Sequence, residues 1–381
     1  MKYKTCSFYF IVGCILIFTG FFTSLYLSIS HYRVYTDIGY SSFCALSKSI
    51  NCDTVSQSSF SILFGMPVPI WGVIGFTLLI LLFPFLFLTK NKEKRLWSLF
   101  YIIISFYSIY SFILAFISTF YINSYCLMCI LVYAINFMLL FYSYIGIKKY
   151  IKNGIWKNFF KDLKYLKLQL PLLSLMIQLF SVAIIILWLL FPKYWNLNIK
   201  TDDLIIPSGV TEDGSNWIGA QNPDLVIIEY TDYLCFQCKK MHFYLRALVS
   251  EHPDKIRLVH RHFPLDKQYN FTIKEDLHKG AGEMAMLAIY AGIKNRFWEM
   301  NDLLFQIDHS KGIIDLNEIA KKTNFKLEEL SWALGQKAIR LYLKKDIAMG
   351  ARSGITGTPA YIVRDKLYLG TIPPEILNSI K

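Results

Sequence analysis

The residues best suited to chemistry in this chain of 381 residues are its eight cysteines. They are Cys6, Cys14, Cys44, Cys52, Cys126, Cys129, Cys235 and Cys238. Spacing groups six of them into three natural pairs, Cys44/Cys52, Cys126/Cys129 and Cys235/Cys238, and the last two pairs are C-x-x-C motifs. Such a dithiol cycles between thiol and disulfide by thiolate attack through a mixed disulfide. Two C-x-x-C motifs also fit a zinc site. Here they stand 109 positions apart, one at the edge of an apolar span and one after a strand-like run, which disfavours a shared metal. Cys44/Cys52 taken alone reads equally well as a structural loop disulfide. Cys6 and Cys14 read as plain buried thiols.

The elements that must position these sulfurs follow from composition. The chain is 54% hydrophobic, 17% aromatic and only 18% charged. That balance excludes a disordered protein, a coiled coil and an ordinary soluble enzyme. Hydropathy gives five spans, at 7–29, 68–88, 97–121, 126–146 and 170–191. The first is read as a retained anchor, because its apolar run is too long for a signal peptide and no small-x-small cleavage site follows. Residues 1–200 hold 17 Lys+Arg and 4 Asp+Glu, while residues 201–381 hold 23 of each, so the whole net charge of +13 lies in the apolar half. A basic excess between apolar spans marks membrane topology rather than a nucleic-acid partner. Lys2 and Lys4, then Lys90, Lys92, Lys94 and Arg95, then Lys148, Lys149, Lys152, Lys157, Lys161, Lys164 and Lys167 all fall on one side if every span crosses. The opposite side holds Arg33, Lys48, Lys193 and Lys200. The N-terminus is therefore expected in the cytoplasm. An odd number of crossings puts the polar C-terminal half outside, where disulfides persist. The expected organisation is a membrane bundle over 1–150, a basic cytoplasmic loop and fifth span over 151–200, and an extracytoplasmic domain over 201–381. Residues 193–224 are expected to act as a tether.

Around Cys235, Leu225–Tyr230 reads as a buried strand and Lys239–Ser250 as a helix. A thiol at a helix N-terminus meets the positive end of the macrodipole, so Cys235 is the expected attacking sulfur and Cys238 the resolving one. His242 is expected on the helix surface. A second strand follows at Ile256–His260, a helix-rich stretch at 275–346, and Gly357-Thr358-Pro359 suits a cis bond in a tight turn. This half resembles the DsbA-like thioredoxin-fold proteins over nearly all of 205–381. The resemblance rests on Glu229-Tyr230-Thr231-Asp232-Tyr233, Phe263-Pro264-Leu265, Phe297-Trp298 and Gly357-Thr358-Pro359. It implies that Thr358 and cis-Pro359 lie beside the disulfide and hold extended substrate. Phe236-Gln237 departs from the Pro-His of strongly oxidising members, so no histidine stands between the sulfurs.

In span 4, Cys126, Cys129, Tyr133 and Asn136 fall within an arc of about 80° at helical spacing. Taken alone, Tyr133 and Asn136 could be polar glue between helices, but intramembrane polar groups beside a dithiol fit better with a site for an amphiphilic two-electron acceptor, a quinone. Residues 8–146 resemble the vitamin K epoxide reductase (VKOR) family. The carriers are Cys126-Leu-Met-Cys129 followed by Tyr133-Ala134-Ile135-Asn136, the loop pair Cys44 and Cys52, Cys52-Asp-Thr-Val55 with Ser58, Gly65-Met66-Pro67 and Trp71-Gly72. The resemblance implies a four-helix bundle around a quinone of ubiquinone or menaquinone type. Cys129 would stand next to it, Cys126 would exchange with the loop pair, and Cys44/Cys52 would shuttle. Tyr133 would hydrogen-bond the quinone, with Asn136 and Ser58 at the pocket or its loop.

Together the halves resemble the VKOR–thioredoxin-like fusions. The expected fold is a multi-span α-helical membrane protein, a four-helix VKOR-like bundle plus a fifth span, with a C-terminal α/β thioredoxin-fold domain carrying a helical insert. The expected function is disulfide formation in secreted or periplasmic proteins at a bacterial cytoplasmic membrane. Its partners would be reduced proteins and the quinone pool, with no metal and no nucleic acid. Reverse flow, as a reductase or isomerase, and a redox-inactive tethered binding module are the competing readings. The fifth span is given a purely topological role.

Overall fold

The computed structural model describes residues 2–47, 49–88, 96–151, 154–197, 206–307 and 314–378. Lys48, the cluster Lys90, Lys92, Lys94 and Arg95, Lys152, Lys200 and the middle of the expected tether lie outside the described residues, as do the side chains of Lys2, Lys4 and Cys6. The chain divides into two compact units, Met1–Trp195 and Asn196–Lys381.

The first unit runs α1 (Lys2–Thr36), α2 (Cys52–Gln57), the hairpin strands β1 (Ile62–Leu63) and β2 (Met66–Pro67), α3 (Val68–Leu82), α4 (Phe85–Leu88), α5 (Trp97–Ile117), α6 (Leu127–Tyr150), α7 (Ile155–Gln169) and α8 (Pro171–Leu190). Five segments, Phe8–Thr36, Val68–Phe87, Trp97–Ile122, Leu127–Lys149 and Pro171–Leu190, are long and apolar enough to cross a membrane. The first runs past residue 29, the end expected from hydropathy. The polar residues of its last turns find partners: Ser28 Oγ donates to the Ser24 carbonyl at 2.8 Å, and Ser30 accepts from Tyr40 at 3.0 Å.

Helices α1, α3, α5 and α6 pack around Phe83, Trp97, Phe100 and Leu139. Glycines make room for aromatic rings of the neighbouring helices, the kind of close packing membrane helices rely on where lipid gives no hydrophobic drive. A Cβ on Gly20 would sit 2.2 Å from the Phe76 ring, and one on Gly146 would sit 2.2 Å from Trp97.

The basic connection expected as a loop is partly the helix α7. Ile155, Phe159, Asp162 and Leu166 recur at helical spacing and turn toward the bundle, while Trp156, Phe160 and the lysines turn out. Asp162 is buried, and its Oδ2 accepts the Ser98 and Leu99 amides at 3.0 and 3.2 Å. It thus caps, from a different helix, two buried amides at the start of α5 that have no partner within that helix.

The second unit runs β3 (Ser208–Val210), β4 (Asn216–Gly219), β5 (Leu225–Thr231), α9 (Phe236–Glu251), β6 (Ile256–His262), α10 (Ala281–Ile293), α11 (Phe297–Gln306), α12 (Leu316–Thr323), α13 (Leu327–Leu334), α14 (Lys337–Arg352), β7 (Ala360–Val363), β8 (Lys366–Leu369) and α15 (Pro374–Asn378). The sheet order is β3-β4-β6-β5-β7-β8, with β5 and β6 parallel and the other pairs antiparallel. In the central strand β5, Leu225, Ile227 and Glu229–Thr231 are buried, Ile228 is half-buried and Val226 is exposed, so cover on its second face begins only after Val226. Helices α10 to α14 form the expected insert between β6 and β7. The hairpin β3–β4 lies inside the stretch expected as a tether, because its residues pair along the sheet edge.

Candidate functional sites: two dithiols and an apolar cavity

In the first unit, two backbone hydrogen bonds zip the cysteine loop to the start of α6. The Asn51 amide donates to the Tyr125 carbonyl at 3.0 Å, and the Tyr125 amide donates to the Ser49 carbonyl at 2.8 Å. The next residues along the two strands of this zip are Cys52 and Cys126. Asn51 also caps α2, its Oδ1 accepting the Asp53 and Thr54 amides at 2.9 and 3.1 Å. Asp53 Oδ2 accepts the Ser42 amide at 3.1 Å, which ties the two arms of the loop together. Cys44 and Cys52 are joined in a disulfide, and both share one buried cluster with Leu27 and Cys126.

Cys126 is not part of the helical stripe expected for it. Its backbone is extended (φ −99°, ψ 115°) and it is the N-cap of α6, with Sγ accepting the Cys129 amide at 3.1 Å. Two features hold it there: residues 49–51 pair with Tyr125 and keep the chain before α6 extended, and the Cys126 sulfur serves one of the unpartnered amides of the first turn. The expected stripe therefore divides. Cys126 belongs to the buried cluster of the loop disulfide; Cys129 packs against that cluster and, with Tyr133 and Asn136, also lines a cavity of about 590 Å³.

That cavity is walled mainly by apolar side chains of α1, the β1–β2 hairpin, α3, α5 and α6. Ser58 also lines it, and Ser58 Oγ donates to the Val55 carbonyl at 2.8 Å. Asn136 Nδ2 donates to Ser111 Oγ at 2.9 Å, which leaves its buried Oδ1 without a protein partner. A quinone and its quinol fit this polar set: the Tyr133 phenol can donate to a quinone carbonyl, the Asn136 carbonyl can accept from the hydroxyl of the reduced quinol, and the volume suits a drug-sized apolar head group. His31, absent from the sequence reading, is also in the wall. It is fully buried, with Nδ1 2.8 Å from Tyr194 OH and Nε2 3.3 Å from Ser61 Oγ. The signal that could have flagged it is a lone histidine two residues past the expected end of the first span, inside the helix once it runs to Thr36.

In the second unit, Cys235 repeats the geometry of Cys126. It is the extended N-cap of α9, and its Sγ accepts the Cys238 amide at 3.3 Å. The Thr358–Pro359 bond is cis, and the Thr358 carbonyl accepts from Cys235 Sγ at 3.6 Å. The hydrogen bond from the Cys238 side chain, helped by the Cys238 amide and by His278, outweighs burial and the Asp232 charge and holds the Cys235 thiol below its ordinary value. Burial first, then its bond to Cys235, pushes Cys238 up. Asp232 and His278 form a pair that spacing alone did not reveal. Asp232 Oδ1 accepts the Leu234 amide at 2.7 Å, and Oδ2 accepts the Leu265 amide at 2.6 Å and lies 3.0 Å from His278 Nδ1.

His242, expected at the surface, is buried. It follows Cys238 by four residues and so shares the inner face of α9. The insert supplies its partner: His242 Nε2 lies 2.8 Å from Asp302 Oδ1, and Arg246 grips both oxygens at 3.1 and 2.9 Å. Beneath the dithiol, Glu229 faces His260 in register across β5 and β6, with Oε1 2.7 Å from Nδ1. Burial pushes Glu229 up to about 7 and His260 well down, so both favour their neutral forms. Among the described residues no group of three or more His, Cys, Asp or Glu converges as a metal site.

Fold and site thus define a membrane protein whose apolar helical part carries one dithiol beside a cavity and whose sheet-and-helix part carries another at a helix N-terminus. Residues 11–144 match the vitamin K epoxide reductase family and residues 211–380 match thioredoxin, so the chain joins a VKOR-family domain to a thioredoxin-like one.

Among curated relatives, the Na(+)/H(+) antiporter NhaA 1 of Salinispora arenicola is 27% identical over 177 residues, which are 46% of this chain and 25% of that protein. The Na(+)/H(+) antiporter NhaA of Herminiimonas arsenicoxydans is 21% identical over 197 residues, 51% of this chain and 30% of that protein. The chain thus spans a quarter to under a third of the curated relatives it matches. Solved structures similar to it include a thioredoxin-like oxidoreductase from Silicibacter pomeroyi (21% identity, 45% of this chain and 91% of that one, TM-score 0.37). Others are Pseudomonas aeruginosa DsbA2 (25%, 43% and 91%, TM-score 0.34) and oxidised BdbD from Bacillus subtilis (20%, 46% and 96%, TM-score 0.36).

Proposed function

We propose that the chain is a quinone-linked thiol oxidase that makes disulfide bonds in secreted proteins. A reduced substrate dithiol gives two electrons and two protons to the Cys235–Cys238 disulfide. The reduced pair passes them to Cys44–Cys52, and that pair to Cys126–Cys129. Each transfer is thiolate attack on a disulfide sulfur, so one S–S bond forms as another breaks. A membrane quinone of ubiquinone or menaquinone type, when bound, takes up the two electrons and two protons. The observation that carries this reading is the placement of the α6 dithiol: Cys126 shares a buried cluster with the loop disulfide, and Cys129 packs against that cluster while also lining the apolar cavity with Tyr133 and Asn136.

In this reading a substrate thiolate attacks Cys235 of the disulfide, Cys238 leaves, and the second substrate thiol closes the substrate disulfide. Once reduced, Cys235, favoured by its lowered thiol, attacks Cys44–Cys52, and the buried Cys238 resolves that mixed disulfide. Thr358 and Pro359 hold extended substrate beside Cys235. Tyr133 and Asn136 orient the quinone, and Ser58 steadies the loop at the cavity edge. The charge pattern supports a cytoplasmic N-terminus and an extracytoplasmic thioredoxin-like domain in a bacterial inner membrane, with domains near 1–150, 151–200 and 201–381. Ion exchange, named for the curated relatives, forms no part of this reading, since the shared stretch is 25% of the first of them.

The test mixes purified protein, a reduced unfolded substrate protein and a quinone, and follows quinone absorbance and substrate thiols together. Coupled loss of both, abolished by Cys235→Ala, is the expected result. Quinone reduction by dithiothreitol that Cys235→Ala leaves intact would localise that activity to the first unit. No quinone reduction from either donor overturns the quinone assignment.

A further inference from the structure

The fifth span, α8, turns nearly all its side chains outward, and topology was the only role expected of it. Its outer end nonetheless reaches the wall of the 590 Å³ cavity by directed hydrogen bonds. The β1–β2 hairpin turns at Phe64 (φ 50°) and Gly65 (φ 75°), both in the left-handed region. A carbonyl has two lone pairs, so those at such a turn can accept from donors outside the strand pairing. Two indoles supply them, and an indole N–H only donates. Trp71 Nε1, from α3, donates to the Leu63 carbonyl at 2.9 Å, and Trp188 Nε1, from α8, donates to the Phe64 carbonyl at 2.6 Å.

Six residues further on, Tyr194 closes a second link. Its hydroxyl lies 2.8 Å from His31 Nδ1, and His31 Nε2 lies 3.3 Å from Ser61 Oγ. The Tyr194 ring packs edge-on against His31, Tyr32 and Tyr35, with centroids 5.7, 5.0 and 6.1 Å away. Leu63, Phe64, Ser61 and His31 all line the cavity. The stretch from Trp188 to Tyr194 therefore grips the wall at two places, the hairpin turn and the outer part of α1.

We propose that α8 and the segment after it belong to the ligand site: Trp188 and Tyr194 are positioning residues that hold the hairpin and His31 against the cavity and set how tightly it keeps a lipophilic quinone. This rests on the quinone reading above. Neither residue touches the reacting sulfurs, so their loss acts on affinity and not on the chemical step.

The test uses the full-length protein in nanodiscs, with dithiothreitol as donor and a short-chain ubiquinone as acceptor. Trp188→Phe keeps an aromatic, though smaller, ring and removes the N–H; Tyr194→Phe keeps the ring and removes the hydroxyl. Each is expected to raise the quinone KM roughly 3- to 10-fold, the value of one hydrogen bond, with kcat and melting temperature close to wild type. Leu189→Ala, an outward residue of the same helix, is expected to leave KM unchanged. An unchanged KM in both aromatic variants overturns the proposal, and so does a fall in kcat together with a loss of melting temperature, which marks a merely structural role. Wild-type protein that reduces no quinone, or reduces it as well after Cys129→Ser, overturns the quinone reading and this inference with it. Normal wild-type turnover with no KM shift in the variants overturns the inference alone.

Discussion

The Cys129 amide donates to the Cys126 sulfur at 3.1 Å, so the first cysteine of this dithiol serves as the cap of the helix that carries the second. The same relationship, at 3.3 Å, joins Cys238 to Cys235 in a domain of different architecture. In both places the sulfur that accepts an amide is the one whose thiolate the helix terminus favours. The second sulfur, inside the first turn, is held where only its neighbour or the cavity reaches it.

The two sulfurs of α6 are expected to separate by function. Cys129→Ser should bring quinone reduction by dithiothreitol to background. Tyr133→Phe should retain turnover and raise the quinone KM by roughly 3- to 10-fold, as loss of one hydrogen bond does. Steady-state quinone absorbance at varied quinone concentration measures both. An unchanged KM for Tyr133→Phe would remove the phenol from the binding role.

Cys235 reactivity should answer in opposite directions to its two charged neighbours. His278 holds the thiol down and the Asp232 charge holds it up. His278→Ala is expected to move the pH midpoint of Cys235 alkylation upward, and Asp232→Asn downward. Below the midpoint, rates should fall in the first variant and rise in the second, because only the thiolate attacks. Alkylation of reduced full-length protein across a pH series, read by mass spectrometry of the Cys235 peptide, checks the signs.

Glu229 makes the second unit sensitive to pH. Its folded value is raised to about 7 by burial, above the ordinary glutamate value of 4.5. The folded state thus binds its proton more tightly than the unfolded chain. The resulting stabilisation is complete below pH 4.5 and is lost as pH rises through 7. The full swing is about 3 kcal/mol. Glu229→Gln, which keeps a hydrogen-bonding partner for His260, should flatten this dependence. His260 contributes the opposite trend, since its folded value is depressed, so the comparison is wild type minus variant. Hydrogen exchange across β5 in the full-length chain at pH 5 and pH 8 gives that difference. Equal protection changes in both proteins would exclude Glu229 as the source.

Asp162 should prove structural and costly to lose. Burial pushes its carboxyl up to about 6, against the pull of the Ser98 and Leu99 amides. Asp162→Ala leaves two buried amides without an acceptor and should destabilise the first unit by about 1–3 kcal/mol. Asp162→Asn retains an acceptor and should cost less. Thermal melts in one detergent rank the variants, and an Asp162→Ala protein as stable as wild type would show that the cap is dispensable.

Much of this protein was legible in its sequence, for reasons that are local. Five apolar runs and their flanking lysines mark the spans because membrane crossing depends on composition within about 20 residues. The strand, C-x-x-C and helix around Cys235 follow from periodicity and from the helix terminus, and Thr358-Pro359 from its turn chemistry. What only the tertiary structure decided involves partners distant along the chain. His242 is buried because Asp302, 60 residues later, meets it from the insert. Cys126 leaves its expected stripe because residues 49–51 reach Tyr125 across the fold and its sulfur caps α6. His31 joins the cavity wall through Tyr194, 163 residues away, and α8 gains a role beyond topology through Trp188 and Phe64. Spacing determines which residues share a face of one element; which face is buried, and what satisfies its polar atoms, is set by the elements that fold against it.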